Sequence, residues 1–219
     1  LPRFGKLTLE RLMRYHRFLS DALVRHPSET TTSARIAEAL DIDATQVRKD
    51  FAAIDVIGVG RVGYDTCETC RAIRVALGFD QEYEGIIIGA GHLGSALIAY
   101  GGFAPYGLRI VAAFDTDQRK VGRKAARLTV RPMTGMSAYI KRRKTRLAIL
   151  TTPAAVSQKL ADRVIRAGVE AIWNFSPTEL TVPEGVFVRN EHISRGLSEI
   201  AYHLKHSGAI PHPSRNGEQ

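Results

Sequence analysis

Cysteine is nearly absent from this chain: two residues in 219 cannot build a disulfide framework, and their scarcity suits a reducing compartment. Also missing is an apolar run of the roughly 18 residues or more needed to cross a bilayer, and the front of the chain shows no signal-type apolar segment. A soluble, cytoplasmic protein with no membrane attachment is the expectation. Acidic residues are in short supply too, 22 against 31 Lys and Arg, for a formal charge of +9. Such an excess suggests nucleic acid, but its location matters more than its total. Residues 1–80 hold 12 basic and 11 acidic residues, whereas 119–146 hold 11 basic residues and no acidic one. That run, from Arg119 to Arg146, is read as a solvated basic face, with phosphate contact or an acidic partner as the other readings. Metal ligation finds little support: Cys67 and Cys70 are spaced like half a zinc site, but no second CxxC or histidine pair completes it. They are read as small, partly buried residues on one helix face, or else as a thiol sensor. At 219 residues and 44% apolar composition, one or two domains with real cores are possible.

What is present begins with a glycine pattern. Residues 86–94 run Ile-Ile-Ile-Gly-Ala-Gly-His-Leu-Gly, and a second apolar run ends in Phe114-Asp115. The uninterrupted Ile86–Ile88 run fits a strand buried on both faces. Gly89 should make the tight turn, Gly91 should let backbone amides meet a pyrophosphate, and Gly94 should let a helix pack closely, with Leu93, Leu97 and Ile98 inward. Ala90, His92 and Leu93 complete the loop. Asp115, 21 positions after Gly94, is placed to receive ribose hydroxyls, which favours NAD over NADP. Arg119, Lys120, Arg123 and Lys124 follow closely and could instead hold a 2′-phosphate. The expected strand Leu128–Val130 and helix Ser137–Arg143 lie beyond.

The segment ahead of this pattern has an organisation of its own. Leu12, Tyr15, Leu19, Ala22 and Leu23 recur at helical spacing between Leu7 and Val24, with His26-Pro27-Ser28 as the stop. Ser33 is expected to cap a short helix burying Ile36, Ala37 and Leu40. Asp43, with Gln46 in the capping-box position, should start a third helix, Ala44–Ile54. Its apolar face is Val47, Phe51 and Ile54, leaving Thr45, Gln46, Arg48 and Lys49 near its exposed start. Those residue types reach base edges and phosphates when such a helix enters the major groove. Gly58 to Tyr64 follows as two short extended pieces with Arg61 at the tip, the pattern of a β-wing that reaches a groove.

Several motifs occur together in one order: Gln46-Val47-Arg48-Lys49-Asp50, Gly63-Tyr64, Gly89 to Gly94, Phe114-Asp115-Thr116-Asp117, Leu150-Thr151-Thr152-Pro153-Ala154 and Asn174-Phe175-Ser176-Pro177. From about Pro2 to Lys205 the chain resembles the Rex family of redox-sensing transcriptional repressors. The resemblance implies an α/β chain with a winged helix-turn-helix domain over residues 1–80, a doubly wound Rossmann domain over 81–190, a domain-swapped helix over 191–205 and a disordered tail over 206–219. It implies a homodimer that binds a pseudo-palindromic operator and is released when NADH occupies the Rossmann site, so that it follows the NADH/NAD balance. Gln46, Arg48, Lys49, Arg61 and Tyr64 then match the DNA-binding positions. Thr152, Pro153, Asn174 and Phe175 match loops closing around the nicotinamide. Ile193, Leu197, Ile200, Ala201 and Leu204 form a greasy helix face that could cover its own domain; the resemblance sends it to the partner subunit.

Two departures accompany the match. The family's switch aspartate, which pairs with an arginine matched by Arg17 and communicates with a tyrosine matched by Tyr100, is His192 here. Either Glu191 substitutes or the switch is wired differently, and a protonated His192 would repel Arg17 and make release pH-dependent. In the wing, Gly60-Arg61 reverses the family's usual basic-then-glycine order. Two other classes are weighed. An NAD-dependent dehydrogenase would need a second catalytic domain and partners for His92 or His192. A nucleotide- or CoA-binding adaptor without DNA is opposed by Asp115, because CoA carries a phosphate on the same ribose.

Overall fold

In the computed structural model, which describes residues 4–26 and 30–206, the chain divides into two units, Leu1–Glu82 with Ala104–Gly107 and Tyr83–Phe103 with Leu108–Gln219. The excursion of 104–107 into the first unit was not anticipated from sequence. Its cause is Tyr106, whose ring meets the rings of Phe79 and His16 at centroid distances of 4.9 and 6.1 Å. Pro27 and Ser28, expected with His26 to stop the first helix, lie outside the described residues, as do residues 207–219 of the tail expected over 206–219; His206 itself ends the last helix.

The first unit comprises α1 (Lys6–Arg25), β1 (Thr30–Thr31), α2 (Ser33–Leu40), α3 (Ala44–Ala53), β2 (Tyr64–Asp65) and α4 (Thr66–Ala76). Leu12, Tyr15 and Leu19, one helical stripe of α1, bury against Ile36, Val47, Phe51, Ile54, Cys70 and Ile73. Each such side chain removed from water contributes roughly 1.5–3 kcal/mol, enough to fix a small four-helix core. The start of α2 is one residue earlier in its capping than expected: Thr32, in extended conformation, accepts from the Arg35 amide at 3.2 Å. Asp43 caps α3 as expected, accepting from the Thr45 and Gln46 amides at 2.7 and 3.1 Å. Gln46 does not close the reciprocal half of the box. Its side-chain NH2 donates to Asp50, one turn on, at 2.8 Å.

The second unit is built on β3 (Tyr83–Ile88), α5 (His92–Ala99), β4 (Leu108–Asp115), β5 (Lys124–Ala125), β6 (Leu128–Pro132), α6 (Met136–Arg143), β7 (Leu147–Leu150), α7 (Ala154–Ala167), β8 (Ala171–Asn174), β9 (Phe187–Asn190) and α8 (Ile193–His206). The sheet order is β5-β6-β4-β3-β7-β8-β9, with only β5 antiparallel. Leaving that edge strand aside, the parallel strands run in the doubly wound order 3-2-1-4-5-6. Successive β3 residues point to opposite faces: Ile86 and Ile88 enter a core with Met136, Ile140 and Val164, while Ile87 enters another with Ile98 and Ile110. The order reverses between β3 and β7. In open α/β sheets, ligands bind outside the carboxyl ends of the strands at that point.

Candidate ligand cleft and nucleic-acid face

At the carboxyl ends of β3 and β7 lies a cleft of about 600 Å³, lined among others by Gly89, Gly91, Asp115, Lys120, Thr152 and Lys159. Three glycines form one rim, for different reasons. Gly89 has φ +98°, and a Cβ there would stand 2.8 Å from the Thr151 carbonyl oxygen. At Gly94 a Cβ would run into the Gly89 carbonyl, so α5 packs against the turn itself. Nothing in the protein lies within 4 Å of a Cβ at Gly91, which opens α5 with no side-chain cap. Its smoothness therefore serves no internal contact. It leaves the amides at the start of α5 open to an approaching anion, which the helix dipole favours.

On the opposite rim, Asp115 is nearly buried at the end of β4. Its carboxylate accepts from the Ala90 and Asp117 amides, both at 2.8 Å, and from Lys120 Nζ at 3.1 Å. Burial alone would raise its pKa, but the Asp117 amide, Lys120 and the Ala90 amide outweigh that and hold the carboxyl below its ordinary value. An ionised carboxylate has lone pairs to spare for a ribose diol. Met133, Val156 and Leu160 supply an apolar wall between the rims, as a nucleobase requires. Thr151 joins the two central strands by donating to the Gly89 carbonyl at 2.6 Å. Thr152 stands within 3.3 Å of Ser176 Oγ, so the two loops picked out by sequence do meet.

In the first unit, α3 offers Arg48 and Lys49 to solvent. Arg48 is steadied by Ser33 at 3.2 Å and Thr45 at 3.1 Å. On the inner face of α3, Asp50 is only 4% exposed. It receives two bonds from Arg11, at 2.6 and 2.8 Å, one from the Tyr15 hydroxyl at 2.9 Å and one from Gln46. Burial pushes the Asp50 pKa up, yet these donors outweigh it and hold the carboxyl down, while burial and Asp50 together push the Tyr15 hydroxyl well up. The wing is a tight reversal in which Val59 and Gly63 exchange bonds of 2.7 and 2.8 Å. Arg61 sits at its tip with φ +65°, exposed.

Comparison with known proteins now bears on both places. Residues 5–52 match a family model described as a putative DNA-binding protein N-terminus, and residues 80–178 one described as a CoA binding domain. A redox-sensing transcriptional repressor Rex from Carboxydothermus hydrogenoformans is 36% identical over 203 residues, covering 93% of this chain and 97% of that protein. The chain belongs to the Rex family of redox-sensing transcriptional repressors.

A Rex from Treponema denticola is 41% identical over 165 residues, 75% of this chain and 79% of that protein. Among solved structures, the Rex-family repressor RSP in complex with β-NAD+ and operator DNA matches with a TM-score of 0.88 at 34% identity, covering 93% of this chain and 94% of that one. RSP in complex with β-NADH matches with a TM-score of 0.83 and the same identity. The Rex relatives are repressors by name, so the dehydrogenase reading is set aside.

Of the positions expected from sequence, Gly89, Gly91, Asp115, Thr152 and Pro153 line the cleft. Ala90 contributes its amide to Asp115, Gly94 packs against the turn, His92 is exposed and Leu93 is half-buried. Asn174 turns away: fully buried, it donates to Thr178 and Asn190 and accepts from the Ser176 amide, shaping its loop. Phe175 lines a second hollow of about 430 Å³ with Glu179, Glu191 and His192. Tyr64 packs against Phe51 with ring centroids 4.9 Å apart, tying wing to α3. Sequence reading missed Lys159, Val156 and Leu160, which periodicity along α7 could have placed on one face, and Asp50, whose burial leaves no mark in a polar run.

The switch positions are less uniform. Arg17 is exposed on α1, and Tyr100 is exposed at the end of α5 beside Phe103. Glu191 accepts from Trp173 and Arg189, both at 3.0 Å, which committed bonds outweigh burial and hold its pKa down. His192 lies 4.0 Å from Glu179. Four of the eleven residues of the basic run stand in ion pairs: Arg119 with Asp117, Lys120 with Asp115, Arg143 with Glu84 and Arg146 with Glu170. Among the described residues, no helix is long and apolar enough to cross a membrane.

Proposed function

We propose that this chain is a cytoplasmic, homodimeric repressor that grips a pseudo-palindromic operator through α3 and the wing and releases it when NADH enters the cleft, so that it follows the NADH/NAD ratio. The observation that carries this reading is Gly91: a smooth position at a helix start, facing a cleft closed on its other rim by a buried carboxylate. Asp115 receives the adenosine ribose and disfavours a 2′-phosphate, while Lys120 partly offsets its charge. Gln46, Arg48 and Lys49 meet base edges and phosphates, Arg61 enters the adjacent groove, and Tyr64 supports the wing from behind. Leu197, Ile200 and Leu204 expose an apolar stripe along α8, at 64% and 75% for the two leucines. A second copy of the chain is the partner such a stripe suits.

Arg17, Tyr100, Glu191 and His192 are proposed to carry the switch, with His192 standing where the family has aspartate. Glu191, already bound to Trp173 and Arg189, would have to exchange those bonds to replace it. The description of residues 80–178 as a CoA binding domain supports a second ligand reading, against which Asp115 stands. Operator binding measured across a range of NADH/NAD ratios at fixed salt tests the proposal, with CoA as a parallel arm. Affinity should fall as NADH rises and stay constant with CoA. Unchanged affinity at saturating NADH, or release by CoA alone, overturns it.

A further inference from the structure

We propose that Cys67 and Cys70 are a redox-active dithiol that closes to a disulfide with hydroperoxides and thereby loosens the wing; the consequence for DNA rests on the operator-binding reading above. They are the chain's two cysteines, and they differ in exposure: Cys67 is exposed and Cys70 buried. Cys67 is the second residue of α4, whose cap is Asp65, and it faces a guanidinium. Arg71 Nη2 lies 3.9 Å from its Sγ. An exposed sulfur at the first turn of a helix, beside a cation, is the setting in which reactive cysteines are found. Cys70 sits one turn on, along the same face, with its Sγ 3.5 Å from Ser20 Oγ of α1. This is the division of labour of an attacking and a resolving thiol.

The chemistry closes without another group. The Cys67 thiolate attacks one peroxide oxygen, the O–O bond breaks, and hydroxide leaves with the electron pair, to be protonated to water. Cys70 sulfur then attacks the resulting sulfenic sulfur, forming S–S as the S–O bond breaks. The Cys70 proton leaves with that oxygen as the second water. The two thiols lose two electrons and the peroxide gains them. A dithiol reductant reverses it by exchange, its own two thiols becoming the disulfide.

Geometry gives the oxidation a consequence. Cβ atoms three residues apart on a helix are about 5–6 Å apart, whereas a disulfide holds them at about 3.5–4.5 Å. Closure must therefore draw in the first turn of α4. That turn is anchored by Asp65, which accepts from the Glu68 amide at 2.7 Å and, through its carbonyl, from Thr69 at 2.6 Å. Asp65 is also the last residue of β2, paired with Thr30, and its neighbour Tyr64 holds the wing to Phe51 of α3. Strain at Cys67 thus passes within two residues to the wing and the recognition helix. A bridge strained in this way is also the readily reduced kind that suits a switch.

The test treats reduced full-length protein with hydrogen peroxide and follows three readouts. Intact mass and peptide mapping should show loss of two hydrogens and a Cys67–Cys70 linkage within one chain. Exchange of the Val59, Gly63 and Glu68 amides, which needs no DNA, should accelerate on oxidation and recover with dithiothreitol. Operator affinity without NADH should fall by about tenfold or more. Cys67→Ser, at an exposed position, should abolish all three responses while binding operator like the reduced parent; Cys70→Ser should stop at a sulfenic acid. Linkage between chains, no linkage, unaltered amide exchange in the linked form, or equal peroxide sensitivity in Cys67→Ser would each overturn the proposal. Failure of the reduced parent to bind any operator would instead overturn the operator reading, with mass and exchange still deciding the dithiol.

Discussion

The two units hold their functional groups by different means. Within α3, side chains do the holding: Asp50 gathers Arg11, Tyr15 and Gln46 into one buried cluster, so α3 is fixed to α1 by charge as well as by packing. Around the cleft, backbone does it. The Gly89 turn, the strand ends and the amides of Ala90 and Asp117 set the geometry, and few side chains are indispensable to the scaffold. In the first unit, stability and the presentation of the residues proposed to meet DNA should therefore fail together. In the second, ligand binding should be separable from stability.

The largest expected effect breaks the buried cluster. Asp50→Ala leaves Arg11 and Tyr15 without their shared acceptor, and removing one partner of a buried pair should cost roughly 3 kcal/mol of the first unit's stability. Denaturant unfolding followed by a probe in that unit measures it. A loss under about 1 kcal/mol would mean that packing alone holds α3. Asp50 titrates below its ordinary value of 3.8 when folded. Its contribution is therefore present above that pH and is lost as the pH falls further. The parent should lose first-unit stability below about pH 4 more steeply than Asp50→Ala does.

Next comes a pair of glycine substitutions that sharpens the contrast within the cleft. Gly94→Ala drives a methyl into the Gly89 carbonyl and should cost about 1–3 kcal/mol along with NADH binding. Gly91→Ala meets no protein atom, so stability should stay within about 0.5 kcal/mol while NADH affinity drops about tenfold or more. Thermal melts with NADH fluorescence titrations separate the two; equal destabilisation would erase the distinction between scaffold glycine and ligand glycine. Smallest is Lys49→Ala. It should weaken operator binding alike across sequences and lower the salt slope by about 1, with no change in melting temperature. Loss confined to one operator base would reassign Lys49 to base reading.

Much of this was legible in the sequence, for reasons that can be named. The glycine spacing, the Ile86–Ile88 run and Asp115 are set by local backbone geometry, so Gly89, Gly91 and Asp115 fall where expected. The doubly wound sheet follows from strands alternating with helices. What stayed hidden depended on long-range contacts. Asp50 reads as one more polar residue in Gln-Val-Arg-Lys-Asp until α1 brings Arg11 beneath it. Asn174 sits in a motif that suggests ligand contact, yet its amide is spent on its own loop. Residues 104–107 join the first unit because of a Tyr106 ring that no periodicity marks.

A nucleotide in one unit and operator DNA on the other are proposed to oppose each other. Linkage makes this reciprocal: the factor by which NADH weakens operator binding must equal the factor by which operator weakens NADH binding. Titrating NADH fluorescence with and without saturating operator duplex, at one salt concentration, measures that factor directly. Operator should raise the NADH dissociation constant by about 5–150-fold. The same NADH affinity with and without bound operator would contradict it.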